Sequence, residues 1–105
     1  MLIIRWSATA ADDLAAIHAF IARDSAHYAT KVCADIVASV DALELFPERG
    51  RVVPELPQAG LREVIVGNYR VVYRVRGVEA VEVITVFHGA RLLRLEGRMP
   101  EPGGA

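Results

Sequence analysis

The stretch Asn68-Tyr69-Arg70-Val71-Val72-Tyr73-Arg74-Val75-Arg76-Gly77 sets three guanidinium groups at alternating positions. Side chains of a strand alternate between two faces. Arg70, Arg74 and Arg76 are therefore expected on one face with Val72, and Tyr69, Val71, Tyr73 and Val75 on the other. A guanidinium is planar and donates in a fork that matches carboxylate or phosphate. Such a face could bind a phosphate, dock an acidic partner, or be a solvated outer surface. A second group follows in Val86-Phe87-His88-Gly89-Ala90-Arg91. Here the strand should end at His88, Gly89 lets the backbone turn, and Arg91 can swing back over the sheet. His88, Arg70 and Arg91 converging at one end of an open face could hold a phosphodiester and stabilise its transition-state charge. In the alternative, Arg91 pairs with a carboxylate such as Glu63 and His88 caps the strand end.

Other chemistries have little to stand on. His18, His27 and His88 lack ligand spacing with one another or with Cys33, so no metal site is expected. No glycine-rich phosphate loop follows a strand, and no nucleophile elbow is present. No cofactor is called for. Cys33 falls in a helical apolar stripe and reads as a small core residue. His18 and His27 read as helix-surface residues. Asp12 and Asp13 stand near a helix start, where the dipole explains acidic residues.

The elements that must position the arginines follow from periodicity. Leu2-Ile3-Ile4-Arg5-Trp6 reads as a strand, and Ser7 as the N-cap of a helix from about Ala8 to Arg23. Asp24-Ser25 breaks it and can cap a second helix, from about Ala26 to Leu45, with the stripe Ala29, Val32, Cys33, Ile36, Val40 and Leu43. A turn at Phe46-Pro47-Glu48-Arg49-Gly50-Arg51 and an ordered loop to Gly60 come next. Strands then follow at Leu61 to Val66, Tyr69 to Arg76 and Ala80 to His88. Gly67-Asn68 is the first hairpin turn. The last strand is apolar on both faces of its distal half, which suits a central position. The fold expected is α+β, β-α-α-β-β-β, an antiparallel sheet with a helix hairpin packed on one face and the arginines on the uncovered one.

Length and composition agree. At 105 residues, with 53% apolar and 24% charged side chains, the chain makes one domain, 1–96, with 97–105 as a tail. A single cysteine, no signal peptide and no apolar run of membrane-spanning length point to the cytoplasm. Residues 1–48 carry three basic and seven acidic side chains, and residues 49–105 carry nine arginines and six glutamates. An acidic front precedes a basic back.

Taken in order, Trp6-Ser7, Asp13-Leu14, Phe46-Pro47-x-x-Gly50-Arg51, Arg62-Glu63, Tyr69-Arg70-x-x-Tyr73 and His88-Gly89-x-Arg91 resemble the RelE/ParE toxin superfamily, and its ParE branch most. The resemblance spans about Leu2 to Leu95. It implies the toxin of a bacterial type II toxin–antitoxin system, of the plasmid-stabilisation kind, working in a hetero-oligomer with a ParD-like ribbon-helix-helix antitoxin. DNA would be met only through that antitoxin. It implies DNA gyrase as the target, where RelE-like relatives cleave mRNA on the ribosome. Arg70 and Arg91 fall where those ribonucleases keep arginines. Their C-terminal tyrosine or His-Tyr pair has no counterpart in Leu92-Leu93-Arg94-Leu95-Glu96-Gly97-Arg98, and the lysines before their Tyr-Arg strand are missing too. His88 is left as the nearest proton-transfer candidate. The expectation is a protein-contact inhibitor rather than an enzyme. Arg70, Arg74, Arg76, Arg91 and Arg94 are then the residues for antitoxin or target binding, and the segment from Arg91 to Arg98 is the first place to look for gyrase contact. The rival expectations are a ribosome-dependent endoribonuclease using Arg70, Arg91 and His88, and a non-toxic co-repressor.

Overall fold

Ser7 begins the helix layer as expected. Its backbone is extended, and its Oγ accepts a hydrogen bond from Ala10 N at 2.9 Å while donating one to Ile84 O at 2.9 Å. The cap therefore satisfies a helix donor and ties the helix to the sheet in one group. A computed structural model describes residues 2–89. Helix α1 runs Ala8–Ala22 and helix α2 runs Ala26–Asp41, followed by a 3-10 turn at Ala42–Glu44. Ser25 caps α2 by accepting from Tyr28 N at 3.1 Å. The predicted stripe of α2 faces inward: Ala29, Ile36, Val40 and Leu43 are buried, with Val32 and Cys33 half-buried. In α1, among the described residues, Ala10 alone is buried, and the helix is apolar almost all round.

Strands β1 (Ile3–Trp6), β2 (Arg51–Val52), β3 (Arg62–Val66), β4 (Tyr69–Arg76) and β5 (Ala80–His88) form one sheet in the order β1-β5-β4-β3-β2. The run β2 to β5 is the antiparallel meander. The first strand adds to it parallel to β5, with Ile3 opposite Ala80 and Trp6 opposite Val83, so the whole sheet is mixed. A parallel neighbour needs a crossover, and the α1–α2 hairpin begins it. Strand β5 is central, as its two apolar faces suggested. The short β2 lies in what periodicity read as loop.

Between β4 and β5 the register slips. Val72 faces Thr85 while Tyr73 faces Val83, which leaves Ile84 as the extra residue of a bulge. Val83 and Val86 consequently both join the core under the helices, together with Val71, Tyr73, Val81, Ile36, Val40 and Leu43.

The face away from the helices is not uncovered, contrary to the sequence expectation. Residues 53–61 fold over part of it. Val53, Leu61, Val72 and Phe87 make a second, smaller core there, with Leu56, Ala59 and Ile84 packed against it. The segment is held by Val53 N donating to Leu61 O at 3.1 Å and by successive turns closing at Leu56 and Ala59. A hairpin whose outer face carries Val72 and Phe87 exposes too much apolar surface to be left bare, and this loop buries it. The open part of that face lies toward β1, where Arg5, Arg74, Arg76 and Glu82 stand.

Candidate functional site

The three alternating arginines do share a face, but they occupy different surroundings. Arg70 is buried, its side chain 5% exposed. Its Nε donates to Glu63 Oε1 at 2.7 Å, and its Nη1 and Nη2 donate to the two oxygens of Glu55 at 2.7 and 2.8 Å. Nη2 also reaches Glu63 Oε1. The guanidinium carbon lies 5.3 Å from the centre of the Phe87 ring. Glu63 is fully buried and takes a further bond on its other oxygen from Arg51 Nε at 2.6 Å. Two arginines and two glutamates thus form a neutral cluster between the sheet and the loop that covers it, with Arg70 and Glu63 buried and Arg51 at its exposed edge. Burying such charges is tolerated only when every ion is paired and hydrogen-bonded.

Arg74 and Arg76 differ from Arg70 because the loop stops short of them. Arg76 is exposed, and its Nε donates to Glu82 Oε1 at 2.9 Å. Arg74 is half-buried and stands directly opposite Glu82 in the β4–β5 register. Arg5 of β1 flanks the same glutamate from the other side.

The convergence of His88 with Arg70, one of the two readings the sequence left open, does not occur. His88 lies opposite Tyr69, its ring 5.4 Å away and edge-on, whereas Arg70 lies opposite Phe87. Adjacent residues of a strand point to opposite faces, so His88 stands on the helix side of the sheet and Arg70 on the other. Arg91 and Arg94 lie outside the described residues, as does the expected tail 97–105.

On the helix side, Tyr73 is structural. Tyr73 is fully buried; its hydroxyl donates to Pro47 O at 2.7 Å and accepts from Gly50 N at 3.0 Å. Burial pushes its pKa above the usual phenol value, so the hydroxyl is neutral and acts as a clip. It holds the turn after α2 against β4. Gly50 has no alternative here, since a Cβ would come within 2.6 Å of both Glu63 O and the Tyr73 hydroxyl. Arg62 Nη1 closes the same turn on Gly50 O at 2.8 Å.

Asp13 also departs from expectation. It lies beyond the first turn of α1, too far along to serve the dipole. Its Oδ2 instead accepts from Thr85 Oγ1 at 2.6 Å and Val86 N at 3.0 Å. It pins α1 to β5 at the bulge.

Glu55, Glu63 and Arg51 were not among the predicted site residues. For Glu63 a signal existed. Closing the hairpin on Gly67-Asn68 puts Ile65 opposite Arg70, and Glu63 then falls on the same face as a diagonal neighbour. For Glu55 the sequence offered only an acid between two prolines.

Among the described residues, no group of three or more His, Cys, Asp and Glu side chains could hold a metal ion, and no helix is long and apolar enough to cross a membrane. A search of curated protein sequences finds no significant match. Among solved structures, the chain is similar to one described as the chromosomal ParDE TA system from P. aeruginosa. The TM-score is 0.69 and the identity 25%, over 84% of this chain and 96% of that one. The family model described as "ParE toxin of type II toxin-antitoxin system, parDE" matches residues 4–93. That span takes in α1, α2, strands β2 to β5, β1 from Ile4 onward, and the Glu63 and Arg70 positions whose ion pairs lie on the sheet's second face. The chain belongs to the ParE toxin family of type II toxin–antitoxin systems.

Proposed function

We propose that this ParE toxin inhibits DNA gyrase by protein–protein contact and is neutralised in a complex with a ParD-like ribbon-helix-helix antitoxin. The observation that carries the non-nuclease part of this reading is the saturation of Arg70. A guanidinium that is to bind a scissile phosphate must have donors to offer. Here Glu55 and Glu63 take them, and two carboxylates beside it repel a phosphodiester. His88 stands on the opposite face of the sheet, so the pieces of a general acid–base site are not assembled around Arg70.

What remains for partners is surface. Arg74 and Arg76, on the open part of the outer face, suit the carboxylates of an antitoxin, and the exposed apolar residues Tyr28 and Val37 of α2 suit its aliphatic side chains. Arg91 and Arg94, in the segment 91–98, are the residues we assign to gyrase contact. The protein works in the cytoplasm as one domain, 1–96, and meets DNA only through its antitoxin.

The test is supercoiling of relaxed plasmid by purified gyrase with free toxin added. The expected result is loss of supercoiling with accumulation of cleaved DNA, reversed by the antitoxin. Normal supercoiling, with no trapped cleaved complex across gyrases from several sources, overturns the proposal. Rapid mRNA cleavage on induction would favour the ribonuclease instead, and harmless overexpression would favour the co-repressor.

A further inference from the structure

We infer that the outer edge of β1 is a strand-addition site for an extended, acidic segment of a partner protein. In the sheet order β1-β5-β4-β3-β2 the first strand stands at one end. Ile3 N donates to Glu79 O at 2.9 Å and Ser7 N to Val83 O at 3.0 Å, so alternate residues of β1 turn their backbone groups toward β5. The N–H and C=O of Ile4 and the N–H of Trp6 therefore face the other way. Among the described residues, no strand pairs with them. Such a row of unpaired donors and acceptors is a template for another chain.

The outer face beside that edge selects the kind of chain. Arg5 of β1 lies opposite Glu82 of β5, which lies opposite Arg74 of β4. This row of alternating charge stops at the edge on a cation. The Glu82 carboxylate is bonded by Arg76 Nε at 2.9 Å, and among the described residues neither Arg5 nor Arg74 makes an ion pair with any carboxylate. A strand laid along β1 with an acidic residue opposite Arg5 continues the alternation, and opposite charges directly across a ladder attract. Two positions from Arg5 on the same face stands Ile3, 58% exposed, beside the turn that presents Val78. The matching strand carries an aliphatic residue there, two positions from its acid. Its other face meets Ile4 and Trp6 at the border of the core, where apolar side chains suit.

Other occupants fit less well. A second copy of β1 would set two Arg5 side chains on one face of the joined sheet with no acid between them, and like charges across strands repel. A nucleic acid could use the arginines but not the row of backbone groups, and Glu82 stands among those arginines. Naming the occupant as the antitoxin rests on the reading proposed above, whereas the chemistry of the edge stands on the sheet alone.

The experiment follows amide hydrogen exchange in the full-length chain, free and with its ParD-like antitoxin. In the free chain the Ile4 and Trp6 amides should exchange fast and the Arg5 amide, which faces β5, slowly. In the complex, Ile4 and Trp6 should slow by about a hundredfold or more, as paired strand amides do. Arg5→Glu should weaken the complex by about tenfold or more through like-charge repulsion. Arg49→Glu, at an exposed arginine in the turn before β2 on the opposite edge, is the control. A complex in which Ile4 and Trp6 exchange as in the free chain overturns the inference and leaves the antitoxin reading standing. An Arg5→Glu loss no larger than that of Arg49→Glu does the same. Failure of any complex to form removes the antitoxin reading instead, and a synthetic Thr-Val-Val-Glu-Val-Thr peptide and its lysine counterpart then decide the edge. Slowing of Ile4 and Trp6 by the acidic peptide alone upholds the inference, and no slowing overturns it. A free chain that dimerises with those amides protected, or a single-stranded RNA oligonucleotide that binds in preference to both peptides, also overturns it.

Discussion

Arg70→Ala is the sharpest probe of the outer-face cluster. The substitution removes every donor that Glu55 receives from this residue and leaves Glu63, fully buried, with Arg51 as its remaining ionic partner. Removing one partner of a buried ion pair costs about 3–5 kcal/mol, because the other charge stays desolvated. Arg51 is mostly exposed and still bonds Glu63, which argues for the lower end. At about 4 °C per kcal/mol for a domain of this size, the melting temperature should fall by about 12 °C or more. Urea unfolding followed by far-UV circular dichroism gives the free energy directly. The companion variant Arg70→Ala with Glu63→Ala removes the stranded charge as well. It should be less destabilised than the sum of the single changes by about 0.5–3 kcal/mol, since the two residues share one network. A single Arg70→Ala change that stays within about 0.5 kcal/mol of wild type, the range of ordinary surface substitutions, would refute the clamp. It would return Arg70 to the list of exposed contacts. The same geometry changes how a charge reversal at Arg70 reads: lost antitoxin binding there would report loss of the fold.

Charge reversal at Arg74 should instead leave the fold intact and weaken antitoxin binding by about 2–5 kcal/mol if its pair is buried in the complex; titration calorimetry with unchanged affinity would move the antitoxin elsewhere. Gly50→Ala should destabilise by about 1–3 kcal/mol from overpacking, because the nearest atoms include the backbone oxygen of Glu63, which cannot move aside cheaply; a neutral result in thermal unfolding would contradict the close approach. Asp13→Ala should cost about 1–3 kcal/mol by leaving Thr85 Oγ1 and Val86 N without this acceptor, and hydrogen exchange should show faster opening of α1 from β5. Tyr73→Phe should cost a similar amount at neutral pH and remove an alkaline transition. Burial raises the phenol's folded pKa above its unfolded value of 10.0, so its contribution is complete below pH 10 and is lost as pH rises through the folded value. Wild type should therefore lose stability above about pH 10 more steeply than the Phe variant, and parallel pH profiles would disprove it.

The helix starts, their serine caps, the α2 stripe and the central place of β5 were legible because each depends on near neighbours in sequence, whereas α2 ends at Asp41 and gives way to a 3-10 turn before the expected Leu45. The division of β4 into an arginine face and a tyrosine face was legible for the same reason, as strand alternation is a local property. The environment of those faces was not. Whether Arg70 is open to water or sealed beneath Glu55 depended on residues 53–61, whose path over the sheet follows from burying Val72 and Phe87 and has no periodic signature. The bulge at Ile84 was invisible for a related reason: one extra residue shifts the pairing without changing composition. The position of Asp13 beside Asp12, near a helix start, suggested the dipole, whereas its partners Thr85 and Val86 lie 72 and 73 residues away.

The parallel pairing of β1 with β5 has a consequence for synthesis. Among the described strands the first waits for the last: Ile3 meets Ala80, and Trp6 meets Val83. Closing a loop of that length carries an entropic cost that grows as the logarithm of length, about 4 kcal/mol by the ideal-chain relation before its constant is added. Nothing repays it until β5 has emerged from the ribosome. A nascent chain shorter than that holds α1 and α2 over an unfinished sheet, so a prematurely terminated product has neither the toxin's shape nor its surface. A toxin-shaped surface should then appear late and nearly all at once in translation, when β5 is made.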